Sequence, residues 1–181
     1  MPRIIVPLAE GFEEIEAVAV IDILRRADVE VVIAGVGGKE ITGSHGIRIV
    51  CDTPIEECDP RRSEGIVLPG GLPGTTNLKK SDALEELLRD ASNRSKMIAA
   101  ICAAPTVLDS LGILKGKKAT CHPNHSSELV ECIYVEAPVV IDGNIITSRG
   151  AGTAVAFAAE LVRILAGDEK AEGILEGIVA K

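Results

Sequence analysis

The chain has 181 residues, 46% of them hydrophobic, which is enough to form one domain with a single sizeable core over 1–181. The formal net charge of −8 opposes a phosphate backbone, and two Phe and one Tyr cannot build a base-stacking platform, so we expect no nucleic acid partner. No apolar run approaches the ~20 residues that span a bilayer, and we therefore expect a soluble protein without a membrane partner.

Short runs rich in Ile and Val alternate with segments of helical periodicity along the whole chain. This alternation is typical of an α/β fold with a mostly parallel sheet and helices on both faces. The pattern predicts strands over 3–8, 29–35, 65–68, 96–101 and 145–148, and helices over 14–26, 82–92, 103–111 and 153–166. Hairpins are predicted over 37–52 and around 142–144.

The predicted helix 14–26 is apolar on every side between Ala17 and Leu24, except at Asp22. A helix that is apolar all round is expected to be buried all round. One face would cover the sheet, and a partner subunit is the simplest cover for the other. We therefore expect a homodimer that uses this helix.

Cys102 lies where the strand 96–101 ends and a helix begins, which is the pattern of a nucleophile elbow. The first N–H groups of the helix would point at the sulfur and favour the thiolate, the nucleophilic form. The alternative is a small core residue, because free cysteines are commonly buried. The odd set of five cysteines has no C-x-x-C pair, which indicates reduced thiols and a cytoplasmic location.

Four glutamates follow the first strand, at positions 10, 13, 14 and 16, and offer a partner that could handle protons for the thiol. Glu13 and Glu14 are expected to be solvated acids that complement the helix dipole. Glu16 begins the apolar stretch and is expected to be partly desolvated, so that it retains its proton. The alternative for Glu16 is a further acid that complements the dipole.

The glycine-rich segment 68–74 follows another strand, where the backbone of Gly70 and Gly71 can offer N–H groups to an oxyanion. A simple tight turn explains the segment equally well. His122 and His125 stand close together in the sequence, and either could be the base that a nucleophilic cysteine employs.

Metal and nucleotide cofactors are not expected. Cys121, His122 and His125 lack the paired spacing of a tetrahedral zinc site. The glycines at 35–37 and 150–152 lack the third glycine of a dinucleotide loop, and the chain contains no G-x-x-x-x-G-K-[ST] motif.

Four separated motifs occur in a fixed order: EGFEEIE at 10–16, LPGG at 68–71, AAICAAP at 99–105 and TSRG at 147–150. Together they resemble the ThiJ branch of the ThiJ/PfpI superfamily over nearly the whole chain. The resemblance implies a flavodoxin-like sandwich and a homodimer. It also implies a cysteine that oxidises readily to the sulfinate while it is hydrogen-bonded to a glutamic acid, and these roles fall on Cys102 and Glu16.

The resemblance assigns further roles around that pair. The oxyanion donors correspond to the backbone of Gly71 and Ala103, and the nearby histidine corresponds to His122. Arg25 and Arg26 match an arginine pair that reaches toward the partner subunit. The protease-like branch carries His directly after the nucleophile, whereas this chain has Ala103, so peptidase activity is not expected.

The activity that the branch implies is attack of Cys102 on methylglyoxal or glyoxal, which yields a hydroxy acid without glutathione. Glu16 or His122 would move the proton. Early glycation adducts on protein thiols and amines are alternative substrates. Two other classes of function stay open: a redox sensor or chaperone that acts through oxidation of Cys102, and a structural dimeric domain with an unreactive thiol.

Overall fold

The computed structural model describes residues 1–180 and contains one seven-stranded sheet and two small two-stranded sheets. The strands are β1 (Arg3–Ala9), β2 (Glu30–Val36), β3 (Glu40–Thr42), β4 (Arg48–Val50), β5 (Thr53–Pro54), β6 (Gly65–Leu68), β7 (Met97–Ile101), β8 (Lys118–Ala119), β9 (Ile133–Tyr134), β10 (Val139–Asp142) and β11 (Ile145–Ser148). The helices are α1 (Glu14–Arg26), α2 (Gly74–Lys79), α3 (Asp82–Asn93), α4 (Pro105–Ser110), α5 (Ala154–Ala166) and α6 (Asp168–Gly177).

The large sheet has the strand order β10-β11-β7-β6-β1-β2-β5, and every pair in it is parallel except β10 with β11. Successive residues of a strand face opposite sides of a sheet. In β7, Ala99 and Ile101 accordingly join one apolar core, whereas Ile98 and Ala100 join the other. Helices α1, α5 and α6 contribute to the first core, and α3 and α4 contribute to the second.

This architecture confirms the predicted flavodoxin-like sandwich with a mostly parallel sheet and helices on both faces. The five predicted strands and the two hairpins are present. The helix predicted over 103–111 is shorter and begins at Pro105, because the chain first turns sharply at Cys102, whose φ is 65°. Helices α2 and α6 were not predicted from the sequence.

Helix α1 is buried on one face only in a single chain, and the prediction leaves the other face to a partner subunit. Its inner face, which includes Ala17, Val20 and Leu24, is buried against the sheet and α5. Its outer face leaves Ile15 58% exposed and Val18 47% exposed. The homodimer that would cover this face stays a prediction. None of the helices in the described part of the chain is long and apolar enough to cross a membrane.

Removal of apolar volume from β7 tests the two-sided core. Ile98 is fully buried, so Ile98→Ala should lower the free energy of unfolding by ~2–5 kcal/mol through the cavity that it leaves. Ile141→Ala on the edge strand β10 is the matched control, because Ile141 is 47% exposed and its truncation should cost far less. Urea unfolding of both variants measures the difference, and equal losses would contradict a core on this face of β7.

Candidate active site

Cys102 stands at the carboxyl end of β7 in a backbone conformation that few residues other than glycine adopt. Its φ of 65° lies in the left-handed region, which costs ~1–3 kcal/mol for such a residue. Two backbone hydrogen bonds hold it there: its N–H donates to the Ser148 carbonyl at 3.0 Å, and its carbonyl accepts from the His122 N–H at 2.8 Å. The sharp turn leaves the thiol partly exposed.

Glu16 lies in the first turn of α1 and is fully buried beside this thiol. Its Oε2 accepts a hydrogen bond from the Gly70 N–H at 2.8 Å. Its Oε1 has no partner in hydrogen-bonding geometry among residues 1–180. Burial raises the pKa of Glu16 to about 7, although contacts with Gly70 and Cys102 lower it in part. The carboxyl therefore exchanges its proton near neutral pH, in agreement with the desolvation that the sequence predicts.

The pKa of Cys102 does not fall as the sequence suggests. Burial and the charge of Glu16 raise it to about 12, although hydrogen bonds from the backbone of Gly71 and Ala103 lower it in part. The predicted thiolate rested on the N–H groups of the helix and on a Glu16 that retains its proton, and α4 has only six residues and starts at Pro105. While Glu16 is ionised, the sulfur is therefore a thiol.

The two groups influence each other, because the charge of Glu16 raises the pKa of Cys102. When Glu16 is protonated, the repulsion between the carboxylate and the sulfur is removed. The backbone donors from Gly71 and Ala103 then remain to stabilise an anion on the sulfur. The thiolate of Cys102 consequently depends on a protonated Glu16 and not on the helix dipole.

Gly70 and Gly71 let the chain that follows β6 lie against Cys102 and against the start of α1 more closely than any other residue would allow. A β-carbon at Gly70 would stand 2.6 Å from Cβ of Cys102 and 2.8 Å from Oε2 of Glu16. Gly71 has a φ of 91°, and a β-carbon there would stand 2.4 Å from the Glu13 nitrogen. The Gly70 N–H is bound to Glu16, so of these two glycines it is Gly71 that presents its N–H to the sulfur.

His122 is joined to Cys102 through the backbone, and its ring lies beside Gly150. Its Nδ1 accepts a hydrogen bond from the Asn124 N–H at 3.2 Å, so in the neutral ring the proton is on Nε2. A ring in this tautomer donates from Nε2 and has no free lone pair there for use as a base. His125 is bound by Glu128, with Nδ1 2.6 Å from Oε1.

Arg25 and Arg26 occupy the last turn of α1, about 14 Å along the helix from Glu16 at 1.5 Å per residue. Arg25 donates to the Val31 carbonyl at 3.2 Å, and Arg26 pairs with Asp22 at 2.7 Å. The structure does not bring this pair to Cys102 within one chain. Their role toward a partner subunit stays a prediction.

The sequence reasoning missed a second buried carboxylate. Glu14 was expected to be a solvated acid, yet it is 5% exposed and accepts hydrogen bonds from the backbone of His45 at 2.7 Å and from its Nδ1 at 2.9 Å. Burial alone would raise its pKa, but these bonds outweigh burial and lower the pKa to about 2. Gly43, where a β-carbon would stand 2.3 Å from Glu14, is the sequence signal for this close approach.

One group of potential metal ligands occurs among residues 1–180: Glu13, Glu14 and His45, whose ligand atoms lie within 4.8 Å of one another. The hydrogen bonds between His45 and Glu14 account for the short distances between these side chains. Among residues 1–180, Cys121, His122 and His125 do not form such a group. The thiol of Cys121 instead donates to the His122 carbonyl.

The carboxyl ends of β1, β6, β7 and β11 thus assemble an acid, backbone donors and a thiol in one place, and the sequence model of the DJ-1/PfpI family matches residues 2–164. The chain belongs to the DJ-1/PfpI family. It is 36% identical over 169 residues to the glutathione-independent glyoxalase DJR-1.2 of Caenorhabditis elegans. The match covers 92% of this chain and 90% of that protein.

Two further comparisons agree with this membership. The Arabidopsis thaliana protein DJ-1 homolog A is 45% identical over 172 residues, and the match covers 94% of this chain but only 44% of that protein. The chain therefore spans less than half the length of this relative. The structure of oxidized Toxoplasma gondii DJ-1 superposes with a TM-score of 0.95 at 35% identity, over 99% of this chain and 98% of that one.

The buried acid of this DJ-1/PfpI protein predicts a specific pH dependence of stability. Because folding raises the pKa of Glu16 from 4.5 to about 7, its contribution is most favourable below 4.5 and is lost as the pH rises through about 7. Glu16→Gln stays neutral and should exceed the wild type in free energy of unfolding by up to about 3 kcal/mol above that range, at ~1.4 kcal/mol per pKa unit.

Glu14→Gln is the matched control, with the opposite sign. Its lowered pKa stabilises the fold above the ordinary carboxyl value of 4.5, so its removal should destabilise the protein at neutral pH. Urea unfolding over a pH series measures both variants. If the Glu16→Gln curve runs parallel to the wild type through neutrality, Glu16 does not titrate as a buried acid.

Proposed function

We propose that the protein is a cysteine-dependent glyoxalase or deglycase. It converts methylglyoxal, glyoxal or their early adducts on proteins to hydroxy acids, without glutathione and without a cofactor. The observation that carries this proposal is the buried carboxyl of Glu16 beside the thiol of Cys102, next to the backbone donors of Gly71 and Ala103. The name of the C. elegans relative supports the same reaction class.

The first step is attack of the Cys102 thiolate on the aldehyde carbon. The sulfur–carbon bond forms, the carbonyl electron pair moves to oxygen, and Glu16 gives its proton to that oxygen to complete a hemithioacetal. The Gly71 and Ala103 N–H groups, which already bind the sulfur, are the donors that would stabilise the oxyanion.

The second step moves a proton between the two carbons of the substrate. Glu16, now a carboxylate, removes the hydrogen from the former aldehyde carbon to form an enediolate and returns it to the adjacent carbon. The hydroxyl proton of the former aldehyde carbon passes to the oxygen of the adjacent carbon, so that the former aldehyde carbon becomes a carbonyl. The product is a thioester of the hydroxy acid. Water then cleaves the thioester and regenerates the thiol, so that methylglyoxal plus water gives lactate. Glu16 is preferred to His122 as the base, because Nδ1 of His122 already accepts a hydrogen bond.

A second candidate function is redox sensing. Cys102 is partly exposed, and the two backbone donors that bind its sulfur would also bind the oxygens of a sulfinate. Two peroxide molecules would each supply one oxygen atom and leave as water. The T. gondii DJ-1 structure is that of an oxidized protein, which favours this candidate for that relative.

We further propose that the protein acts as a homodimer in the reducing environment of the cytoplasm. The outer face of α1 supports the dimer, because Ile15 and Val18 are exposed there side by side on one helix. Arg25 and Arg26 at the end of the same helix would then lie near the partner subunit. Five free cysteines support the reducing location.

Replacement of the thiol tests the glyoxalase proposal directly. Wild type, supplied with methylglyoxal and no glutathione, should produce lactate, and Cys102→Ser should lose at least ~100-fold in turnover because the nucleophile is gone. Cys58→Ser is the control for loss of a partly buried thiol elsewhere and should retain full activity. If wild type forms no lactate while Cys102 oxidises selectively with mild peroxide, the redox candidate replaces the enzyme.

Charge placed on α1 tests the dimer. Val18→Asp should shift the mass measured by light scattering from that of a dimer to that of a monomer, because a carboxylate cannot be buried in an apolar interface without a partner. Val130→Asp is the matched control, since Val130 is 77% exposed and lies on a different surface. A wild-type protein that is monomeric at all concentrations would contradict the proposal.

A further inference from the structure

Glu13 closes a ring of hydrogen bonds around the carboxyl of Glu16. Its N–H donates to the Gly70 carbonyl at 2.9 Å, and its Oε2 accepts from the Glu16 N–H at 2.8 Å. The Gly70 N–H in turn donates to Oε2 of Glu16 at 2.8 Å. The side chain of Glu13 is only 14% exposed, so this carboxylate has a fixed position instead of a solvated one.

The charge of Glu13 acts unequally on the two groups that share the proton. It raises the pKa of Glu16. Hydrogen bonds join Glu13 to Glu16 and to Gly70, and among residues 1–180 none joins it to Cys102. The fixed negative charge of Glu13 opposes ionisation of the Glu16 carboxyl more than ionisation of the Cys102 sulfur. It therefore favours the arrangement in which the proton is on Glu16.

We propose that Glu13 is a positioning residue that directs the shared proton onto Glu16 and thereby the negative charge onto the sulfur of Cys102. The inference rests on the proposed function, in which the thiolate is the nucleophile. It adds to that function a residue outside the reacting pair, because Glu13 acts only through Glu16.

The other charged groups around Glu13 do not cancel this effect. From the β3–β4 hairpin, Nδ1 of His45 lies 4.0 Å from Oε1 of Glu13 but only 2.9 Å from Oε2 of Glu14. The pKa of Glu14 is lowered to about 2, so this neighbour stays ionised and is the closer counter-ion for His45. The other titratable groups beside the ring are Glu16 itself, in the first turn of α1, and Cys102, which follows β7.

Glu13→Gln removes the charge but keeps an oxygen that can accept the Glu16 N–H. The proton should then move from Glu16 toward the sulfur, and the thiolate fraction at neutral pH should fall roughly three- to tenfold, since a tenfold change corresponds to one pKa unit. Two measurements report this: the ultraviolet absorbance of the thiolate, and the pH profile of iodoacetamide alkylation at Cys102 followed by peptide mass spectrometry. The profile should shift to higher pH.

Two variants separate charge from geometry. Glu13→Asp keeps the charge on a shorter side chain and should retain most of the wild-type thiolate. Glu10→Gln removes the charge of a glutamate three residues away, whose side chain accepts from the Thr42 N–H, and should leave the profile unchanged. Thermal unfolding of each variant identifies any loss that comes from misfolding.

An unchanged profile in folded Glu13→Gln would overturn the proposal, as would an equal shift in Glu13→Asp, because geometry and not charge would then be responsible. Alkylation needs no aldehyde turnover, so these outcomes are separate from the test of the proposed function. If wild type fails to turn over methylglyoxal but Glu13→Gln still loses thiolate, the proton placement stands and the glyoxalase proposal fails.

Discussion

A single proton held between a buried carboxyl and a sulfur is the interaction on which the rest of the site depends. Glu16 follows β1 and Cys102 follows β7, and β6 lies between these strands in the sheet. Because the three strands are parallel, their carboxyl ends lie at one edge. The chain that leaves β6 therefore passes between acid and thiol, and only glycine fits there, as the Gly70 contacts show.

The energetic costs of this arrangement are concentrated in a few residues. Cys102 adopts a strained backbone conformation, and Glu16 has no water to stabilise its charge. Glu14, two residues earlier, shows the opposite behaviour, since hydrogen bonds from His45 stabilise its ionised form despite burial. The same helix turn thus holds one carboxyl that favours the neutral state and one that favours the charged state. Desolvation dominates at Glu16, whereas hydrogen-bond donors dominate at Glu14.

Local sequence patterns predicted most of the fold and the identity of the reacting pair. Strands were recognisable because buried parallel strands consist of continuous apolar runs, and the small residues around Cys102 marked the sharp turn. The state of the thiol was not predictable in the same way, because it depends on the charge of Glu16, which is distant in sequence. The burial of Glu14 was missed for a related reason: its donors come from a hairpin about thirty residues further along the chain.

The cost of burying Glu16 also bears on the choice between catalysis and sensing. A sensor needs an anion on the sulfur, which the backbone donors of Gly71 and Ala103 can stabilise while Glu16 stays protonated. A catalyst must in addition return a proton in every cycle. A carboxyl with an ordinary pKa would stay ionised at neutral pH, whereas one with a pKa of about 7 can both give and accept the proton. An acid that is unfavourable for folding but suited to proton transfer is therefore expected for the proposed turnover, and oxidation alone does not require it.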